Sequence, residues 1–326
     1  MISNLYLFVF RVILIKIIIQ TFFISIIYII LHTIYKMTDY VVCIPSYKRA
    51  QVCNEKTLST LKKMKIPSNK IYVYVANKEE EEEYKKVVDT TLYNKLVIGK
   101  KGLVPQRQFI MEQWPQGKHI VFFDDDVASI DLKMSKFKSK SLDYFFKEAF
   151  AECKKQSSYI WGVYPVFNPF FRKAREEISN CLNYIVGAFY GIINRPNLKS
   201  IRLTLTKENG QKEDVERTIK YFIEDGIVLR FNKVGFVTKY YGKEGGLGTF
   251  EARLKPMLEA SQKLKKEFPE YGEISTKKNG MTEFRLKKIL ARTGGQEESS
   301  KKTKTNKKQS KNDKSDKKNK TVKKRT

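Results

Sequence analysis

IVFFDDDV, residues 120–127, runs four apolar residues straight into three consecutive aspartates. A short unbroken apolar run reads as a strand buried on both faces, the kind found in parallel sheets covered by helices. Asp124, Asp125 and Asp126 then fall at its carboxyl end, where open α/β sheets bind ligands. Like charges this close repel one another, and a hard divalent cation relieves them. Oxygen ligands at i and i+2 suit Mg²⁺ or Mn²⁺, ions that also bind phosphates. Three aspartates after a strand are also met as a plain solvated loop, so the surrounding sequence has to decide.

Upstream, residues 40–44 form a short apolar strand ending in IPSYKR (44–49), which brings Ser46, Tyr47 and Arg49 to the same sheet edge. Leu58 and Leu61 share one face of a helix over 55–64. A strand over 71–75, a charged helix over 79–87 and a strand over 96–98 follow, then Gly99 and Gly102. A helix over 106–114 opens with Arg107, 17 residues before Asp124 and within reach of a diphosphate bound there. This alternation predicts an α/β fold with a mainly parallel sheet flanked by helices.

Downstream the pattern is more mixed. A helix over 142–153 precedes the aromatic run WGVYPVFNPFF (161–171), and a buried strand covers 184–193. An edge strand over 201–205 leads to a turn at Asn209-Gly210. A helix over 213–222 stops at Gly226, and a last strand spans 227–231. The glycine-rich YYGKEGGLG (240–248) precedes a helix over 252–268. Trp161, Tyr164 and Phe167 read either as core or as a platform for stacking on bases.

The composition narrows the chemistry. With 326 residues, 41% hydrophobic, the chain builds a real core. Four cysteines without a CxxC pair make neither a disulfide framework nor a zinc knuckle, and Cys43 and Cys181, in apolar runs, read as buried thiols. Only two histidines are present, so carboxylates must carry any acid–base work. The net charge is +28, of which +11 lies beyond residue 300 and +14 between 37 and 300. Such a body and tail point to a polyanionic partner, nucleic acid or an anionic membrane surface.

Three segments follow. Residues 1–36 are hydrophobic, with a single charge in the 24 residues from 12 to 35. They read either as one transmembrane anchor or as upstream sequence before a true start at Met37. Residues 37–294 form the folded domain. Residues 295–326, almost without apolar side chains, form a Lys-rich tail expected to be disordered.

IPSYKR, QRQFIM (106–111), FFDDDV, GIVLRFNK (226–233) and KEGGL (243–247), in that order, resemble the TET-associated glycosyltransferases over about 39–290. That group is similar to the base J glucosyltransferase and occurs in phages and large DNA viruses. The resemblance implies a GT-A-like (Rossmann-like) fold. It also implies transfer of a sugar, typically glucose, from a UDP-sugar to a hydroxymethylated pyrimidine in DNA. By the same resemblance Asp124 and Asp126 would hold a Mn²⁺ or Mg²⁺ on the donor diphosphate. Pro45, Ser46, Tyr47, Arg49, Arg107 and Asp125 would line the donor site, Lys243 would help neutralise the diphosphate, and Asp214 would be the catalytic base with Glu213 beside it. Gln108 stands where related enzymes commonly have Asn, and no downstream His offers a third metal ligand.

Two other functions compete. A transferase anchored by residues 1–36 would sit in a membrane and glycosylate protein, glycan or lipid, whereas the DNA-modifying enzyme would be soluble in cytoplasm, nucleus or viral factory. A non-enzymatic basic DNA-binding protein is the third, and the intact aspartate triplet, Arg107 and Glu213-Asp214 argue against it.

Overall fold

A computed structural model of the chain describes residues 15, 16, 18–26, 39–208, 210–238 and 247–292. The basic tail, Lys243 and most of the N-terminal segment lie outside these residues. Residues 18–26 are helical with Phe22 and Phe23 exposed, and among the described residues no helix is long and apolar enough to cross a membrane.

Strand β1 (Tyr40–Pro45) is buried at all six positions, as a strand covered on both faces must be. It pairs in parallel with β2 (Ile71–Val75) on one side and β4 (His119–Phe123) on the other, and β3 (Lys95–Ile98) continues the parallel ladder beyond β2. The chain leaves β1 toward β2 but returns as β4 on the opposite side. The boundary between β1 and β4 is therefore a topological switch point, where loops at the carboxyl ends part and leave a crevice. The expected α/β sheet is present, and its strand order puts IPSYKR and the three aspartates side by side.

Four further strands extend the sheet: β6 (Ile160–Val163), β7 (Ile178–Ser179), β8 (Phe189–Ile193) and β9 (Leu229–Phe231). The order is β3-β2-β1-β4-β8-β6-β9-β7. β8 runs antiparallel to both β4 and β6, β9 is parallel to β6, and β7 closes the edge antiparallel to β9. Two small antiparallel pairs that the sequence did not announce accompany it. β5 (Ser129–Asp131) pairs with β10 (Gly235–Val237), and β11 (Gly272–Thr276) forms a hairpin with β12 (Thr282–Leu286).

The helix over 50–63 contains a π-helical stretch at Cys53–Leu58. It fixes the aspartate loop through two threonines. The Thr57 hydroxyl donates to the Asp124 carbonyl (2.7 Å) and accepts from the Val127 N–H (2.9 Å), while Thr60 donates to the Ala128 carbonyl (2.9 Å). The helix Leu103–Glu112 starts three residues before its expected position, because Pro105 sits in the first turn, where no N–H is required.

Two expected strands are corrected. Only Phe189–Ile193 of the run 184–193 joins the sheet. The N–H groups of Ile185 and Gly187 are taken by Thr218 Oγ1 (3.1 Å) and Asp214 Oδ2 (3.3 Å) instead of a ladder. The edge strand over 201–205 does not form. The buried carboxylate of Glu216 accepts the N–H groups of Thr204, Leu205 and Thr206 at 2.8, 3.2 and 3.0 Å and so replaces a neighbouring strand.

For Trp161 the structure decides between the two readings. Trp161 is fully buried, edge-on to Phe145, Phe150, Phe189 and Phe231, and it fills the space above Gly191, where a Cβ would come within 2.4 Å of the indole. It is core and cannot stack on a base. Cys181, expected to be a buried thiol like Cys43, is half-buried.

Candidate active site

A cleft of about 1210 Å³ opens at the carboxyl ends of β1 and β4. Pro45, Ser46, Tyr47, Arg49, Arg107, Asp124, Asp125, Asp126, Glu213 and Asp214 all line it. Ten residues from four separate stretches of sequence thus meet in one place.

The wall under β1 and β4 is an ion-pair network. Arg49 bridges Asp125 (Nη1 to Oδ1, 2.8 Å) and Asp126 (Nη2 to Oδ2, 2.8 Å), a fork that holds two adjacent carboxylates at once. Ser46 donates to Asp125 Oδ2 (2.6 Å), and Thr238 donates to Asp126 Oδ1. Burial pushes the Asp125 carboxyl up to about 7, against the pull of Arg49 and Ser46. Tyr84 was missed by sequence reading, being masked in the charged run EEEEEYKK. Its hydroxyl lies 2.7 Å from Ser46 Oγ and accepts the Arg49 N–H (3.1 Å), so it orients the whole IPSYKR turn. Lys48 turns that loop in the left-handed region at φ 54°.

Arg107 is buried and already committed. Nη2 donates to Asp124 Oδ1 (2.7 Å) and to the Gly187 carbonyl (2.8 Å), and Nη1 pairs with Glu213. It is thus a strut between the strand end and the late helix, a different role from the free phosphate ligand expected. Glu213 is likewise corrected. Both of its oxygens are held, one by Arg107 and the other by Arg217 (2.5 Å), and it is not open to act as a base. Gln108 faces Glu112 on the other side of the helix and does not line the cleft.

Asp214 stands differently. Placed in the first turn of the helix Glu213–Asp225, it faces the cleft, with Tyr184 Oη and the Gly187 N–H donating to Oδ2. The residue before the helix, Lys212, lines the same wall with φ 60°, a conformation that costs a side-chain-bearing residue about 1 kcal/mol. Burial draws its ammonium below the ordinary lysine range. A lysine directly before Glu-Asp was the sequence signal for it.

The other two aromatics of the run 161–171 divide. Tyr164 is buried beneath Arg175 and Arg230, Phe167 is exposed beside Arg172, and neither lines the cleft.

The oxygen-only set Asp124 and Asp126 has the right chemistry for a hard cation. Among the described residues no group of three or more His, Cys, Asp or Glu could hold a metal, and both Asp126 oxygens are engaged by Arg49 and Thr238. The set therefore suits only an ion that draws most of its shell from phosphate and water.

No family model matches this sequence, and no curated protein matches it. Its fold is similar to residues 1–349 of S. aureus TarS, at 14% identity and a TM-score of 0.42, over 70% of this chain and 65% of that one. It is also similar to the mannosyltransferase PcManGT from Pyrobaculum calidifontis, solved with GDP-Man and Mn²⁺, at 12% identity and a TM-score of 0.42, over 71% and 64%. A 4-diphosphocytidyl-2C-methyl-D-erythritol synthase from Anaerococcus prevotii matches at 9% identity and a TM-score of 0.36, over 63% and 93%. This chain spans less than two thirds of the length of the first two.

Proposed function

We propose that the protein is a nucleotide-sugar-dependent hexosyltransferase that moves a sugar from a UDP-sugar to the hydroxymethyl group of a modified pyrimidine in DNA. The observation that carries this reading is the single cleft shared by the aspartate triplet and Asp214. The resemblance of IPSYKR, QRQFIM, FFDDDV and GIVLRFNK to TET-associated glycosyltransferases supports it, as does the +14 body.

The acceptor oxygen attacks the anomeric carbon, the bond from that carbon to the UDP oxygen breaks, and the acceptor proton passes to Asp214. Tyr184 and the Gly187 N–H hold that carboxylate in place. Ser46, Tyr47 and Arg49 bind the nucleotide. Asp124 and Asp126 would hold a divalent cation, which when bound stabilises the charge on the departing diphosphate.

The test is transfer of labelled glucose from UDP-glucose, with Mn²⁺, to DNA containing 5-hydroxymethylpyrimidine and to unmodified DNA. Label enters only the modified DNA, since an unmodified base has no oxygen to attack. Asp214→Asn abolishes transfer while UDP and DNA binding stay within about twofold, because a base acts in the transition state. Label appearing only on protein or lipid of a host extract would overturn the DNA acceptor and leave the transferase anchored by residues 1–36.

A further inference from the structure

One arginine pair on the cleft wall has no acidic counterpart. Arg230 is only 7% exposed, in the middle of strand β9, yet no carboxylate among the described residues lies within ion-pair distance of it. Its Nε donates to Asn232 Oδ1 (2.8 Å) and its Nη1 reaches the Tyr184 carbonyl (3.4 Å), while Nη2 meets no protein acceptor among the described residues. Arg175, also without an acidic partner, lies over the same Tyr164 ring, the two guanidinium carbons standing 4.7 Å and 5.1 Å from its centroid. Both arginines line the cleft.

Two guanidiniums converging on one ring repel, and a desolvated cation without a counter-charge is costly. Burial and Arg175 together draw Arg230 down to about 10. An oxyanion between them would remove both costs, and a guanidinium fork matches phosphate geometry. Position says whose phosphate it is. Arg230 touches the backbone of Tyr184, whose hydroxyl donates to Asp214, whereas the nucleotide-binding Ser46 and Arg49 belong to the wall at the β1 end.

We propose that Arg175 and Arg230 form a phosphate subsite that grips a backbone phosphodiester of the nucleic-acid acceptor next to the nucleotide whose hydroxyl faces Asp214. This rests on the DNA-acceptor reading above. The subsite fixes the register of the strand in the cleft and does not touch the donor.

The experiment compares wild type, Arg230→Gln and the surface variant Arg175→Gln, which cannot fail for want of a core. Steady-state transfer is measured to an oligonucleotide with one 5-hydroxymethylpyrimidine, and anisotropy follows binding of the same oligonucleotide across a salt series. Each variant raises KM for DNA about tenfold, the size of one charge-assisted contact, with kcat and UDP affinity unchanged. The slope of log K against log salt falls by about one per variant. A neutral methylphosphonate at the linkage flanking the modified base reproduces the loss in wild type and adds nothing in the variants. Unchanged KM and salt slope in both variants overturn the subsite while leaving the transferase intact. If wild type transfers nothing to DNA yet both variants lose oligonucleotide affinity, the acceptor reading has failed and the phosphate site stands.

Discussion

The two walls of the cleft solve the problem of buried charge in opposite ways. On the wall beneath β1 and β4, Arg49 and Arg107 are matched by Asp124, Asp125, Asp126 and Glu213 in forks that close on themselves. On the facing wall Arg175, Lys212 and Arg230 have no ion-pair partner among the described residues. On the first wall each arginine is already forked between two carboxylates of the protein, so these charges specify the fold as much as the chemistry. The second holds cations that no carboxylate among the described residues meets at ion-pair distance. A side chain's role here follows from whether the protein has already paired it.

Four measurements break or sharpen that contrast. Arg107→Ala leaves Glu213 and Asp124 buried or half-buried without their shared partner, and urea unfolding should show a loss of about 3–5 kcal/mol, against nearly nothing if the strut is ornamental. Next, Asp126→Asn removes a proposed cation ligand and half of the Arg49 fork. UDP affinity in Mn²⁺ should fall about thirtyfold by calorimetry, and chelator should produce a similar fall in wild type. Equal affinities with and without chelator would remove the metal from the donor site. On the opposite wall Arg230→Gln should change unfolding free energy by less than about 1 kcal/mol, since it deletes a desolvated charge and strands no carboxylate, while the Gln amide can still donate to Asn232 Oδ1. A loss as large as that of Arg107→Ala would mean the two walls are alike.

The smallest effect is chemical. Burial pushes the Cys43 thiol up to about 12 and raises Cys53 and Cys153 as well, whereas Cys181 is half-buried on the cleft wall. Ellman's reagent at pH 8 should therefore modify one thiol quickly in the native protein, and UDP-sugar with DNA should slow it severalfold. Two or more fast thiols would show the core around β1 to be open.

The wall beneath β1 and β4 was legible because its signals are local: an apolar strand followed at once by Pro, Ser, Arg or Asp places those residues at a sheet edge before any tertiary contact is known. What stayed hidden depends on partners far along the chain. Tyr84 reads as one apolar residue in a charged helix until its hydroxyl meets Ser46, 38 residues away. Glu216 lies within the helix expected over 213–222, and nothing local says that it will take three N–H groups from 204–206 and abolish a strand. Trp161 stayed undecided for another reason. An aromatic residue in a run punctuated by prolines has the same pattern whether it fills a core or awaits a base, and only the space above Gly191 distinguishes them. Arg230 left a trace in the sequence: a guanidinium inside the apolar run GIVLRF has to be answered by something, and the nearest acid, Asp225, is taken by Arg195 only once the chain has folded.

The antiparallel strand β8, wedged between β4 and β6, also governs the order in which the molecule can be made. β1 to β4 occupy one continuous stretch, 40–123, and can assemble as soon as it leaves the ribosome. The outer edge of β4 then waits for its partner, because Phe123 pairs with Phe189 and His119 with Ile193. At ordinary synthesis rates those residues follow on the order of ten seconds later. Throughout that interval an apolar strand shows unpaired N–H and C=O groups, a template for pairing with another nascent chain. Changes in β8 should therefore surface first as insoluble protein, made by chains that meet each other before they meet their own residues 189–193.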